Sequence, residues 1–307
     1  MNILVIGLGS IAKKHIAALK ELKIAVTVYA LRSNINAISE AGIINIYDLD
    51  ELEAFIDFAI ISNPTHLHYE YIQKLAQKYI PLFIEKPAIS SLSNSDKLIE
   101  LITNNNVITY VACNLRFHPC IIFLKSELKN KNLRINEINV YCGSYLPDWR
   151  KGKDFRKIYS ANASMGGGVH LDLFHEFDYT TWLFGFPIKS HSLLRNSSSL
   201  CIDSVDYANY ILEYDSFVIN IILNYYRTQS KRTVEIVFEN QVWNIDLIKN
   251  IIKVNDEFII YENSNFIMAN TYRDQLNYFI DHLKTKSKPM NSLEESLEVL
   301  KICLLNE

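Results

Sequence analysis

Ile3-Leu4-Val5-Ile6-Gly7-Leu8-Gly9-Ser10-Ile11-Ala12 decides how the fold is read. Four apolar residues without alternation read as a strand covered on both faces. A helix follows over residues 10–22, with apolar side chains at Ile11, Ile16, Ala17 and Leu19. Between them lies Gly-x-Gly-x-x-Ala, in the strand–turn–helix setting where such a turn cradles a pyrophosphate. Gly7 permits the tight turn, Gly9 lets backbone approach the phosphates, and Ala12 allows close helix-to-strand packing. The helix start turns the N–H groups of Ser10, Ile11 and Ala12 toward the anion. A glycine turn with no ligand is the plainer alternative.

Working outward, short apolar runs at 25–30, 43–46, 58–61, 82–84 and 107–111 alternate with helical patterns at 67–78 and 93–104. That rhythm predicts a doubly wound parallel sheet of Rossmann type over residues 1–116. From 117 to 307 the pattern changes to an α+β domain with a mostly antiparallel open sheet. A helix is expected at 119–129, a strand at 135–145 and a polar loop at 146–164. One helix follows over 166–185, then successive strands over 188–261, with a hairpin at 209–214 and 217–225. Helices at 271–284 and 293–305 close the chain, the last able to pack back on the first domain.

The second strand ends Val28-Tyr29-Ala30-Leu31-Arg32-Ser33 without a carboxylate to take a ribose 2′-hydroxyl. Arg32 and Ser33 suit a 2′-phosphate, which tilts the cofactor toward NADP over NAD. The alternative is an arginine that stacks on adenine or is solvated.

Bulk properties narrow the classes. The chain has 307 residues, 49% hydrophobic and 21% charged, with a formal net charge of −3. Nucleic acid, which demands a basic face, is not expected as a partner. Five irregularly spaced cysteines without a CxxC argue against a disulfide framework or a metal site. No signal peptide or membrane-spanning run is evident, so a cytoplasmic protein is expected.

Three later segments carry chemistry. Ser62-Asn63-Pro64-Thr65-His66-Leu67-His68 turns at the carboxyl edge of the fourth strand, where ligands bind in such sheets. Glu85-Lys86-Pro87 follows the fifth strand. Gly166-Gly167-Gly168-Val169-His170-Leu171-Asp172-Leu173-Phe174-His175 opens the expected 166–185 helix, where a spacing of three keeps Asp172 and His175 on one face.

With Arg116-Phe117-His118-Pro119 between them, these motifs resemble the glucose-fructose oxidoreductase / inositol dehydrogenase (Gfo/Idh/MocA) family over nearly the whole chain. The resemblance implies hydride transfer between a nicotinamide and a carbon of a sugar, nucleotide-sugar or polyol. It implies that Lys86 bonds the reacting oxygen, that His175 is the acid/base and that Asp172 positions substrate. It also implies a homo-oligomer, dimer or tetramer, through the C-terminal sheet. The run from Tyr145 to Tyr179 resembles a branch associated with surface-polysaccharide sugar synthesis. Two departures stand out. The histidine follows the aspartate by three residues where four is commoner, with His170 as a rival, and Asn114 stands where many relatives carry glutamine.

Ser62, Asn63, Pro64, His68, Glu85, Lys86 and Asn114 are candidate cofactor contacts. Arg116, His118, Trp149, Arg150, Tyr159 and His170 are candidate substrate contacts; each has packing or solvation as the simpler alternative. Asp178 could orient His175 or form a surface pair. A glycosidase that uses a bound nucleotide for transient oxidation, and a non-catalytic nucleotide-binding protein, are the rival functions.

Overall fold

A computed structural model describes residues 1–36, 38–130, 133–150 and 152–305. They form two compact units. The first comprises Met1–Asn114 and Ile267–Glu298, the second Leu115–Phe266 and Val299–Glu307.

The first unit holds β1 (Asn2–Ile6), α1 (Ser10–Glu21), β2 (Thr27–Leu31), β3 (Ile43–Ile46), β4 (Phe58–Ile61), α2 (His68–Gln77), β5 (Leu82–Ile84), α3 (Ser95–Asn104) and β6 (Thr109–Val111). The strands pair in parallel in the order β3-β2-β1-β4-β5-β6. The order reverses beside β1, which puts the glycine turn at the switch point of the sheet. Ile3–Ile6 and Phe58–Ile61 are fully buried, as their unbroken apolar runs require. On α1 the covered face is Ala12, His15, Ile16, Ala18 and Leu19. It differs from the expected stripe in that Ala18 turns inward instead of Ala17, and a histidine takes a core position.

The second unit holds α4 (Pro119–Asn130), β7 (Ile135–Tyr145), α5 (Val169–Asp172), α6 (His175–Phe184), β8 (Lys189–Arg195), β9 (Tyr207–Glu213), β10 (Val218–Asn224), β11 (Tyr226–Phe238), β12 (Val242–Asp246), β13 (Ile251–Val254) and β14 (Phe258–Glu262). Its sheet runs β14-β13-β12-β11-β7-β10-β9-β8, antiparallel except where β7 meets β10. The expected hairpin is present, with Glu213 opposite Val218. Alternation sets the faces: Val140, Ile221, Val234 and Ile245 are buried, while Asn139, Asn220, Glu235 and Asn244 are not.

Two features depart from the sequence pattern. First, α7 (Ala269–Thr285) belongs to the first unit. Phe279 on α7 meets Phe58 and Phe83 edge-on, with centroids 5.3 and 5.6 Å apart. Asn291 then donates to the Val111 carbonyl on β6 at 2.8 Å. The chain therefore returns after Phe266 instead of crossing once near residue 116, and α8 (Leu293–Cys303) starts in the first unit and ends in the second. Second, the expected 166–185 helix is two helices, broken at Leu173 and Phe174. The 146–164 segment contains four short 3-10 turns.

Two ion pairs, one fully buried and one part-buried, latch α6. Arg116 reaches Asp178 with Nε and Nη2, at 3.0 and 2.8 Å. Arg232 on β11 reaches Glu176 likewise, at 2.6 and 3.2 Å. Such forked pairs fix orientation as well as distance.

Candidate active site

In the first unit the site begins at the glycine turn. Gly7 has φ +80°, and a Cβ there would lie 2.9 Å from Asn63. A side chain at residue 7 would thus be strained and would collide with the 62–64 turn. At Gly9 a Cβ would meet nothing within 4 Å, which leaves that backbone open to a ligand. Helix α1 starts there without a side-chain cap and without an acid in its first turn. Its leading N–H groups, those of Ser10, Ile11 and Ala12 among them, are thus left for an anion.

Ser62 donates to the Ile6 or Gly7 carbonyl, at 3.2 and 3.1 Å, tying the two turns together. The Asn63 amide is buried, and neither its nitrogen nor its oxygen has a protein partner. Orphaned polar atoms beside an open, uncapped helix start fit a bound dinucleotide, which could satisfy both. A hollow of about 310 Å³ continues from Gly7 and Asn63 past Pro64 to Arg32, Ser33, Asp48 and Lys74. Arg32 reaches Asn45 only at 3.4 Å. Asp48, a carboxylate that the β2 ending does not announce, accepts from the Asp50 N–H at 3.0 Å.

His68 is buried, with Nε2 2.8 Å from the Asn63 carbonyl and Nδ1 3.2 Å from that of Ala88. It therefore braces the 62–64 and 85–88 turns and offers no surface to a cofactor. Burial holds its pKa below the ordinary value.

Between buried residues 82–84 and 87–89, only Glu85 and Lys86 reach the surface. Glu85 is fixed by its neighbours: His15 Nε2 lies 2.5 Å from one carboxylate oxygen, and the Lys86 N–H donates to the other at 3.2 Å. The His15 Nδ1 is buried and has no protein partner. Asn114 lies inside the unit, where its amide donates to Thr271 Oγ1 at 2.7 Å near the start of α7.

In the second unit, Gly167 sits where a Cβ would lie 2.2 Å from the Tyr159 carbonyl. Only glycine lets the chain pass so close before α5. Over residues 167–181 every residue is buried except Asp172 and His175. Asp172 ends α5 and His175 starts α6, so their shared accessibility comes from the break and not from one helical face. Tyr225, buried where β10 gives way to β11, donates to Asp172 Oδ2 at 2.5 Å. Burial first, then the charge of Asp172, raises the Tyr225 phenol well above its ordinary pKa, so it stays a donor.

His170 is buried against the Gly168 backbone. Arg116 and His118 are corrected from substrate contacts to internal braces. The Arg116 guanidinium is buried on Asp178, which is thereby neither a surface residue nor a His175 partner. His118 Nε2 lies 3.1 Å from the Leu247 carbonyl, and burial lowers its pKa to about 4. Trp149 and Arg150 are exposed, and the Tyr159 hydroxyl donates to the Gly166 carbonyl at 2.6 Å. Sequence reasoning missed His15, Asp48, Tyr225 and Thr271. Only His15, a polar residue on the covered face of α1, carried a local signal.

Residues 1–113 match the model of the oxidoreductase family with an NAD-binding Rossmann fold. Over that stretch the chain is similar to the Gfo/Idh/MocA oxidoreductases. It is 29% identical to scyllo-inositol 2-dehydrogenase (NAD(+)) of Bacillus subtilis over 166 residues, 52% of this chain and 46% of that protein. It is 25% identical to myo-inositol 2-dehydrogenase of Thermotoga maritima over 238 residues, 73% of this chain and 68% of that one. The matched stretch thus spans about half to two thirds of these relatives. A levoglucosan dehydrogenase solved with NADH shares the fold at TM-score 0.87 and 17% identity, covering 99% of this chain and 95% of that one.

No helix among the described residues is long and apolar enough to cross a membrane. Those residues hold no cluster of three or more His, Cys, Asp or Glu suited to a metal ion.

Proposed function

We propose that this chain is a Gfo/Idh/MocA oxidoreductase that transfers hydride between the nicotinamide of NADP, in preference to NAD, and a carbinol or carbonyl carbon of a sugar, nucleotide-sugar or polyol. The observation that carries the reading is selective accessibility. In two otherwise buried stretches, the residues that reach the surface are Glu85 with Lys86, and Asp172 with His175.

The bound dinucleotide supplies or accepts the hydride. The chain's own groups handle the oxygen and its proton. The Lys86 ammonium donates to the substrate oxygen and stabilises alkoxide charge as it develops. His175 takes the hydroxyl proton in oxidation and returns it in reduction, a task suited to imidazole near neutral pH. Asp172, held by Tyr225, accepts from a neighbouring substrate hydroxyl and fixes the sugar's orientation. Arg32 and Ser33, which line the 310 Å³ hollow, would hold the 2′-phosphate. In a cytoplasmic homo-oligomer, a second copy covers the outer face of the eight-stranded sheet, where Leu193, Ile211 and Val218 are 50%, 43% and 39% exposed.

The test is the reduced-nicotinamide absorbance band, followed with NADP and with NAD against a panel of polyols, sugars and nucleotide-sugars. Net nicotinamide reduction with at least one carbinol is expected, with kcat/KM higher for NADP. A cofactor that co-purifies and is recycled while a glycoside is cleaved, with no net redox change, would show a glycosidase instead.

A further inference from the structure

The 149–159 segment carries a charge pattern opposite to that of the whole chain. In sequence, Arg150, Lys151, Lys153, Arg156 and Lys157 accompany a single acid, Asp154, in a protein of formal net charge −3. The Asp154 carboxylate accepts from the Arg156 N–H at 3.1 Å and so caps a 3-10 turn. Among the described residues, Arg150, Lys153, Arg156 and Lys157 form no ion pair. Arg150, Lys153 and Lys157, with Asp154 as the one acid, line one open hollow of about 490 Å³, walled by Ile158, Tyr159 and Met165.

Both ends of the segment are fastened. At one end, the Trp149 indole packs edge-on against Tyr225, with centroids 5.3 Å apart, and the Tyr225 hydroxyl holds Asp172. At the other, the Tyr159 hydroxyl holds the Gly166 carbonyl, three residues before α5 begins. Tyr159, which walls the hollow, also lies within electrostatic reach of Tyr225, the residue that holds Asp172.

We infer that this hollow binds a phosphate or diphosphate group of the substrate, so that the sugar oxidised or reduced is a phosphorylated one. The inference rests on the oxidoreductase reading for the site it adjoins. A single carboxylate is satisfied by one arginine fork, whereas three unpaired cations around one hollow suit a group with two or more negative charges. Their field also draws an anion to a protein that otherwise repels it.

The full-length chain is titrated calorimetrically, at low and high salt, with UDP, with a hexose 1-phosphate and with neutral myo-inositol as probes. The same is done with the triple variant Arg150→Ala, Lys153→Ala, Lys157→Ala. Binding of at least one phosphorylated probe is expected. It should weaken as salt rises, and by about tenfold or more in the triple variant, with NADP affinity unchanged by thermal shift. UDP binding alone identifies a nucleoside diphosphate as the source of the anion, and hexose 1-phosphate binding alone identifies a simple sugar phosphate. Equal affinity in both proteins overturns the inference, as does failure of both phosphorylated probes to bind. Turnover of a neutral polyol as fast as any phosphorylated sugar also overturns it, while leaving the oxidoreductase reading intact. Cation-dependent UDP binding in a chain that turns over no carbinol would do the reverse.

Discussion

At the scale of single residues, the proposed chemistry depends on side chains that hold the proposed site residues in place. Tyr225 is the clearest case. Tyr225→Phe keeps the ring and its packing on Trp149 but removes a short hydrogen bond to the Asp172 carboxylate. A hydrogen bond to a charged group contributes about 1.5–3 kcal/mol, so kcat/KM should fall about tenfold or more while far-UV circular dichroism is unchanged. An unaltered kcat/KM would show that Asp172 needs no such brace. Arg32→Ala should erase most of the NADP preference, read as the ratio of kcat/KM for the two dinucleotides; an unchanged ratio would place the 2′-phosphate elsewhere. The glycine turn at Gly7 and Gly9, between β1 and α1, was legible in the sequence, and local motifs singled out Lys86, Asp172 and His175 for the roles proposed above. Tyr225 was not, because its contact with Asp172 spans 53 positions and depends on how β10 hands over to β11. Arg116 and His118 misled for a related reason: polar residues in a motif look available until their partners, Asp178 and Leu247, are brought up from far along the chain.

At the scale of elements, α6 is the piece most dependent on distant charge. Glu176 and Asp178 on its first turn are buried, and each is neutralised by an arginine from another element. Removing one partner strands a buried charge, so Arg116→Ala should lower stability by roughly 3–5 kcal/mol in urea unfolding. Adding Asp178→Leu to Arg116→Met should recover most of that loss, because an apolar pair leaves nothing unsatisfied. A double variant as unstable as Arg116→Ala would show that the pair is not the cause. The parallel sheet was readable because its strands are continuous apolar runs. The break between α5 and α6 was not, because Leu173 and Phe174 are both good helix residues and are buried whichever way the helix runs. Helix α7 was recognisable as a helix, but its place was hidden, since only packing against Phe58 and Phe83 assigns it to the first unit.

At the scale of the whole molecule, buried histidines tie stability to pH. His118 titrates at about 4 when folded, against an ordinary 6.5, and the pKa of His68 is lowered too. Between those values the unfolded chain binds the proton more tightly. Stability is therefore complete above about pH 6.5 and is lost as pH falls toward 4, by roughly 3 kcal/mol from His118. Urea unfolding at about pH 7.5 and about pH 4.5 should show this loss, and His118→Gln should remove part of the difference. A stability independent of pH across that range would contradict it. The central claim is that Lys86 acts on the reacting oxygen of a carbinol beside a bound nicotinamide. Its most direct measurement is the rate of nicotinamide reduction by Lys86→Ala, with the dinucleotide affinity measured alongside. The account predicts a rate lower by about 10²–10⁴ with affinity little changed. A variant that reduces the nicotinamide at the wild-type rate would contradict it.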